Sequence, residues 1–350
     1  MSKKENKFPV LDTLTQHCQS QHDLDAAQCA QAVEQLLDPA VVEKSKADFL
    51  IALTDKGETP TELAGFVKVL LPHACDPGIQ GTFEGGPLFD CCGTGGGKLD
   101  LINVSTALMF ILSAAGVPVV KHGNRGITKK SGSADVLETL GRDLAADSAG
   151  VVAELKRSHM AFCFAPAFHP AFKHIAPVRK QLGAEGRRTI FNFLGPLLNP
   201  CVPDTQMIGV FRKEYLSLFS ECLSLLGRKR YLVIYGEDGD GRAIGEVSSI
   251  GPTRLVGALD GKAVDREIYG MTSQSVDEFL VSGAEESAER LKAVFSGEDA
   301  GPLRELLAIN AGVGLHVNGV VDSISDGESK ALSLIKDGKV QEQFNRWLNL

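Results

Sequence analysis

Two short stretches carry the residue types and spacings best suited to chemistry. The first is Gly93-Thr94-Gly95-Gly96-Gly97, followed ten residues after Gly93 by Asn103-Val104-Ser105-Thr106. Glycines let a main chain approach a ligand closely, and backbone N–H groups with Ser/Thr hydroxyls at a helix start suit phosphate oxygens. The pattern is neither GxGxxG nor GxxxxGK[ST], so ordinary dinucleotide and P-loop readings have no support. The second stretch is Lys121-His122-Gly123-Asn124-Arg125, continued by Thr128, Lys129, Lys130, Ser131, Gly132, Ser133 and Asp135. Cations, an amide and an imidazole at the carboxyl end of a strand place donors where a phosphorylated sugar could lie. Singly, each feature has a plainer reading: a tight turn with an N-cap, a solvated lysine pair, a satisfied loop histidine. Two anion-suited loops in neighbouring strand-helix units favour the site.

The elements that must position these loops are legible in the periodicity. Residues 9–76 repeat apolar residues at helical spacing (Leu11, Leu14; Ala30, Val33, Leu37; Phe49, Leu50, Leu53; Leu63, Phe66, Val67, Leu70) and carry no strand signal. Thr59-Pro60 followed by Glu62 marks a helix start. From Gly85 onward, short apolar runs (PLFDCC, VPVV, MAFCFA, MIGVF, YLVIYG) alternate with helix-like stretches, which predicts βαβ units and a mostly parallel sheet. Two helical stretches interrupt the alternation near 168–200, and the tail from about 285 reads as helices covering the sheet. The expected architecture is α/β: a mostly parallel central sheet flanked by helices, with a smaller all-helical domain. That domain spans 1–76 and is completed by the insertion near 168–200; 77–167 and 201–350 form the α/β domain.

Composition excludes other classes. A chain of 350 residues, 43% hydrophobic and 23% charged, can bury a full core and is neither disordered nor fibrous. Its net charge of −8 argues against nucleic acid. The longest apolar candidate, 104–120, is broken by Ser105, Thr106, Ser113, Gly116 and Pro118, which argues against a membrane span. The amino-terminal MSKKENKFPV lacks an apolar secretory region, so a cytoplasmic protein is expected. The cysteines at 18, 29, 75, 91, 92, 163, 201 and 222 form no CxxC pair and read as buried reduced thiols.

In the order GTGG, NVST, KHGNR, SGSADVLETLG, FAPAFHPAF, PVRKQLG, RRTIFNFLGPLLNP and a late INAG, over roughly residues 10–345, the sequence resembles the anthranilate phosphoribosyltransferases. The resemblance implies the nucleoside phosphorylase/phosphoribosyltransferase-like fold, a homodimer, and transfer of phosphoribose from phosphoribosyl pyrophosphate to the amine of anthranilate in tryptophan synthesis. It implies that Gly93, Gly96, Gly97, Asn103, Ser105, Thr106, Lys121, Arg125, Thr128 and Ser133 surround phosphoribosyl pyrophosphate. Asn124 and Arg179 would hold the aromatic acid, with His122, Pro166, His169 and Phe172 along its path. Paired N–H donors suit Arg179 to a carboxylate. No catalytic residue is assigned; His122 is the one candidate proton acceptor.

The resemblance also implies magnesium, on Ser105 and Glu246, and here the chain departs from the family. Gly97 and Gly245 stand where the family carries aspartates, Lys98 replaces a glycine, and Leu101 replaces a threonine. Because magnesium takes oxygen ligands and one or two carboxylates, weaker metal dependence is expected. Asp100, Asp238 or Asp240 are candidate substitute ligands, and Gly97→Asp with Gly245→Asp is expected to strengthen magnesium binding. Two alternatives stand beside the transferase reading: a paralogue acting on another nitrogen acceptor, and a non-catalytic binder of phosphoribosyl ligands. A nucleoside phosphorylase is a more distant possibility.

Overall fold

The computed structural model describes residues 9–126, 130–144, 147–270 and 274–349. The chain opens with helices α1 (Pro9–Gln19), α2 (Ala26–Leu37), α3 (Glu43–Lys56) and α4 (Pro60–Leu70). It continues through β1 (Phe89–Gly93), α5 (Val104–Ala114), β2 (Val119–Gly123), α6 (Ser133–Thr139), α7 (Ser148–Ser158) and β3 (Met160–Phe164). Three short helices follow, α8 (Ala165–Phe168), α9 (Ala176–Ala184) and α10 (Phe191–Leu194), then β4 (Thr205–Gly209), α11 (Tyr215–Leu225) and β5 (Arg230–Gly236). The remainder is β6 (Pro252–Leu259), β7 (Lys262–Tyr269), α12 (Ala284–Phe295), α13 (Pro302–Val317), α14 (Ile324–Lys336) and α15 (Lys339–Leu348).

Two compact units share this chain: Met1–Cys75 with His169–Leu198, and Asp76–Phe168 with Asn199–Leu350. The first is helical. Its α4 begins as its sequence dictates, with Thr59 as N-cap, Pro60 in the first turn and Glu62 closing a capping box. The Glu62 carboxylate is fully buried, accepts from Leu24 N at 2.8 Å and pairs with Lys56 at 2.9 Å. One side chain thus ties the end of α3, the start of α4 and the turn before α2. Removing it would leave Lys56 with Asp23 and the Gly57 carbonyl but strand the Leu24 and Thr59 N–H groups, a loss of about 1–3 kcal/mol.

The second unit is built on a seven-stranded sheet in the order β3-β2-β1-β4-β5-β6-β7. The first five strands in that order pair in parallel, and the predicted apolar runs are these strands. Their near-continuous burial follows from helices on both faces. α5 is buried on almost every side because α13, α14 and α15 pack on it as well as the sheet. The predicted apolar runs of the sequence end at β5. Strands β6 and β7 add an antiparallel edge, turning on Asp260-Gly261, both at positive φ (52° and 78°), as a two-residue type I′ turn requires. Charged Lys262, Asp265, Arg266 and Glu267 line the outer strand, which discourages further strand pairing.

All eight cysteines are thiols. Cys75 is exposed and Cys92 partly so, which corrects the expectation of uniform burial. Burial pushes the Cys18 thiol up to about 11 and Cys29 to about 12. Among the described residues no helix is long and apolar enough to cross a membrane.

Candidate active site

From β1 the chain steps to β2 and β3 on one side, then returns so that β4 pairs with β1 on the other. Loops leaving β1 and β4 therefore diverge, opening a crevice at the carboxyl ends of these strands, where α/β sheets bind ligands. The glycine loop leaves β1 there. Gly95 and Gly96 sit at φ +69° and +81°, a left-handed region costly for other residues. Thr94 N donates to Gly209 O at 3.0 Å, extending the β1–β4 ladder into the loop. Past the loop, Leu101 bridges Leu280, and Ile102 N donates to Phe279 O at 2.9 Å, so the leucine at this departure from the family is a packing residue.

The two anion-suited loops meet. Lys130 Nζ pairs with Asp100 at 3.3 Å, and Ser131 Oγ donates to Asn103 Oδ1 at 3.0 Å. Ser287 Oγ donates to the same Asn103 oxygen at 3.1 Å. Asn103 stands at the N-cap of α5 but does not cap it, because its side chain is spent between these loops. The positive end of α5 is therefore left without a side-chain cap from that residue, with Ser105 and Thr106 in the first turn. Thr106 is fully buried and its hydroxyl has no hydrogen-bond partner among the described residues, so a phosphate oxygen suits it.

The second loop is closed by Asp135, whose carboxylate accepts from Gly126 N at 2.8 Å and Gly132 N at 2.7 Å. Ser133 follows at the start of α6. Asn124 Oδ1 accepts from Arg125 N at 2.8 Å. The Arg125 guanidinium pairs with Glu138 at 2.5 Å and lies 5.0 Å from the Phe164 ring centroid, so binding a phosphate requires it to exchange partners. Lys121 is 1% exposed, and its ammonium donates to Cys91 O at 2.7 Å. His122 is buried one residue on. Beneath them lies Asp90, fully buried; burial holds its carboxyl above the usual carboxylate range against the pull of Lys121. Thr128 and Lys129 lie outside the described residues.

The implied metal positions do not make a carboxylate site. Gly97 and Gly245 offer no ligand, and the Phe211 ring fills the space a side chain at either would need. Each candidate substitute has a cationic neighbour. Asp100 is taken by Lys130. Asp238 is buried, accepts from the N–H groups of Asp240 and Arg242 and pairs with Arg242 at 2.5 Å, and Asp240 lies 3.5 Å from the same arginine. Among the described residues no three His, Cys, Asp or Glu side chains gather into one cluster. Glu246 itself is partly buried, in a loop that Asn310 of the INAG stretch holds by accepting from Val247 N at 2.9 Å and donating to Val247 O at 2.8 Å.

Three of the residues expected to meet the acceptor lie in the helical unit. His169 stacks on Phe172 (centroids 5.2 Å apart), Phe172 meets Phe191 edge-on at 5.7 Å, and Arg179 lies 5.1 Å from the Phe191 centroid. Aromatic faces beside a guanidinium suit an aromatic carboxylate. Phe191, the link in this chain of contacts, was not singled out by sequence reasoning, although it lies within RRTIFNFLGPLLNP. The His169 Nε2–H group donates to Leu198 O at 2.8 Å, and burial holds the imidazole below its ordinary pKa. Burial likewise pulls the Arg179 guanidinium below its ordinary value. His122, Asn124 and the exposed Pro166 belong to the α/β unit.

The glycosyl transferase family helical bundle domain matches residues 9–74, and the glycosyl transferase family a/b domain matches 85–341. Anthranilate phosphoribosyltransferase of Petrotoga mobilis is 38% identical over 326 residues, 92% of this chain and 91% of that protein. The Methanosarcina barkeri enzyme of the same name is 38% identical over 336 residues, covering 95% and 88%. Among solved structures, the anthranilate phosphoribosyltransferase of Thermus thermophilus superposes with a TM-score of 0.86 at 32% identity, over 96% of this chain and 98% of that one. The Saccharomyces cerevisiae enzyme, solved in complex with PRPP and Mg, shares the fold (TM-score 0.83, 24% identity, 97% of each chain).

Proposed function

This chain belongs to the anthranilate phosphoribosyltransferase family, and on that premise we propose that it transfers the phosphoribosyl group of phosphoribosyl pyrophosphate to the amine of anthranilate, releasing pyrophosphate. The observation that carries the reading is the junction of the glycine loop with the 123–133 loop at the switch point, through Asp100–Lys130 and Asn103–Ser131. That junction offers main-chain N–H groups, the amino end of α5, and the Ser105 and Thr106 hydroxyls to one polyanion. In this reading Gly93, Gly96, Gly97, Asn103, Ser105, Thr106, Lys121, Arg125, Thr128 and Ser133 bind the donor. Asn124 and Arg179 hold the acceptor carboxylate, with His122, Pro166, His169 and Phe172 along its path.

Little covalent chemistry is asked of the protein. An arylamine is neutral at physiological pH and attacks without a strong base, so His122 is needed at most to take up the released proton. Holding the amine in line with the anomeric carbon supplies orientation, a term that reaches about 7–11 kcal/mol in well-aligned systems. Donors fixed around the departing pyrophosphate stabilise its growing charge. Of the positions where the resemblance implies a metal ligand, Ser105 and Glu246 alone carry an oxygen-bearing side chain; a magnesium ion held there would offset charge on the departing pyrophosphate. A homodimer, a cytoplasmic location and the division into domains at 1–76 with 168–200 complete the reading.

The test is incubation of the purified protein with donor, magnesium and anthranilate. Loss of anthranilate fluorescence with matched pyrophosphate release is the expected result. The glycines at 97 and 245 favour one second reading, a paralogue using another nitrogen acceptor. It predicts pyrophosphate release only when that acceptor is supplied.

A further inference from the structure

Phe211 lies two residues beyond β4, at the switch point, with its ring between Gly97 and Gly245. A β-carbon on Gly97 would overlap the ring, 2.6 Å from its Cζ, and one on Gly245 would lie 2.5 Å from the same atom. Gly245 is also at φ +69°, where a side chain is strained whatever the space. The ring keeps its place only because both neighbours are glycine. The three residues form one packing unit at the mouth of the crevice, and exposed Lys98 follows Gly97 directly.

We propose that Phe211, seated on Gly97 and Gly245, is a specificity-determining residue of the donor site: it fills the volume of a carboxylate-held cation, so this chain binds phosphoribosyl pyrophosphate without magnesium. The proposal rests on the donor-binding reading above. Carboxylates beside a polyanion repel it unless a cation lies between them. With glycines at both positions and Lys98 adjacent, most of that repulsion is gone, and Glu246 is the one carboxylate left at the implied metal positions for a cation to bridge. The apolar ring adds no charge of its own and displaces water that would otherwise solvate an ion.

Isothermal titration of the full-length protein with phosphoribosyl pyrophosphate, in EDTA and in magnesium, tests this directly. The affinities should agree within about threefold, less than 0.7 kcal/mol. Affinity at least about tenfold weaker in EDTA overturns the proposal while leaving donor binding intact. No binding in either buffer overturns the donor-binding reading and the proposal with it. Variants isolate the ring: Gly97→Asp/Gly245→Asp/Phe211→Ala should acquire magnesium-dependent donor binding, whereas Gly97→Asp/Gly245→Asp with Phe211 retained should not, contrary to the expectation from sequence alone, because the ring occupies the space both new side chains need. An equal gain in both would show that the ring excludes nothing.

Discussion

At the residue scale, His169 and Arg179 separate structure from recognition. Neutral His169 donates to Leu198 O, and burial lowers its pKa. The unfolded chain then takes up a proton near pH 6.5 while the folded one does not. The stability this histidine contributes is complete above that pH and is lost as pH falls through it toward the depressed folded value. His169→Phe should therefore be less stable at pH 8 by about 1–3 kcal/mol, for the stranded Leu198 carbonyl, yet lose less stability on going from pH 7 to 5. Urea midpoints at three pH values would show both signs. Arg179→Ala should act on the acceptor alone. Losing a charged bond to carboxylate costs about 1.5–3 kcal/mol, so KM for anthranilate should rise roughly 10- to 150-fold with donor affinity unchanged. Equal damage to both would place Arg179 in general packing.

Among elements, the five parallel strands and α1–α4 were legible because each carries its own period: continuous apolar runs for buried strands, three-to-four spacing for helices. The β6–β7 hairpin is hard to read even though Asp260-Gly261 announces it, because its outer strand is charged and only Val264 and Ile268, with Arg266 between them, face the core. In the candidate site the glycine loop and the 121–125 stretch were legible as local strings. The Phe211 wedge was not, since it joins residues 97, 211 and 245, and no local pattern encodes a contact across three loops. Asn310 is a similar case: INAG stood out as a string, but its work is on the 243–249 loop. Asn310→Ala strands the Val247 N–H and C=O groups in a buried setting. It should cost about 1–3 kcal/mol and speed hydrogen exchange at Val247 before the rest of the unit. Uniform exchange across the unit would mean that the asparagine is not a local anchor.

For the whole molecule, the carboxyl-terminal helix is the closing piece of the α/β unit. Phe344 and Trp347 on α15 pack edge-on against Phe110 of α5 (centroids 5.5 and 5.3 Å), which also meets Phe295 of α12 at 5.0 Å. Gln343 donates to Ser158 O, and the Arg142 guanidinium, paired with Glu154, lies 5.7 Å from the Trp347 ring. Helices α5, α7, α12 and α15 thus close on one aromatic cluster, and α5 is the helix whose amino end faces the proposed donor site. Truncating Phe344 removes its share of that cluster and leaves a cavity beside α5, worth about 3–5 kcal/mol. Trp347 is the chain's one tryptophan, so its emission reports this unit directly. Phe344→Ala should shift the tryptophan-detected urea midpoint downward and weaken donor binding at temperatures where the wild type is intact. Added donor should restore part of the lost midpoint, because a ligand bound only by the folded unit stabilises it by mass action. A lowered midpoint that the donor does not raise would separate the aromatic cluster from the site at the amino end of α5.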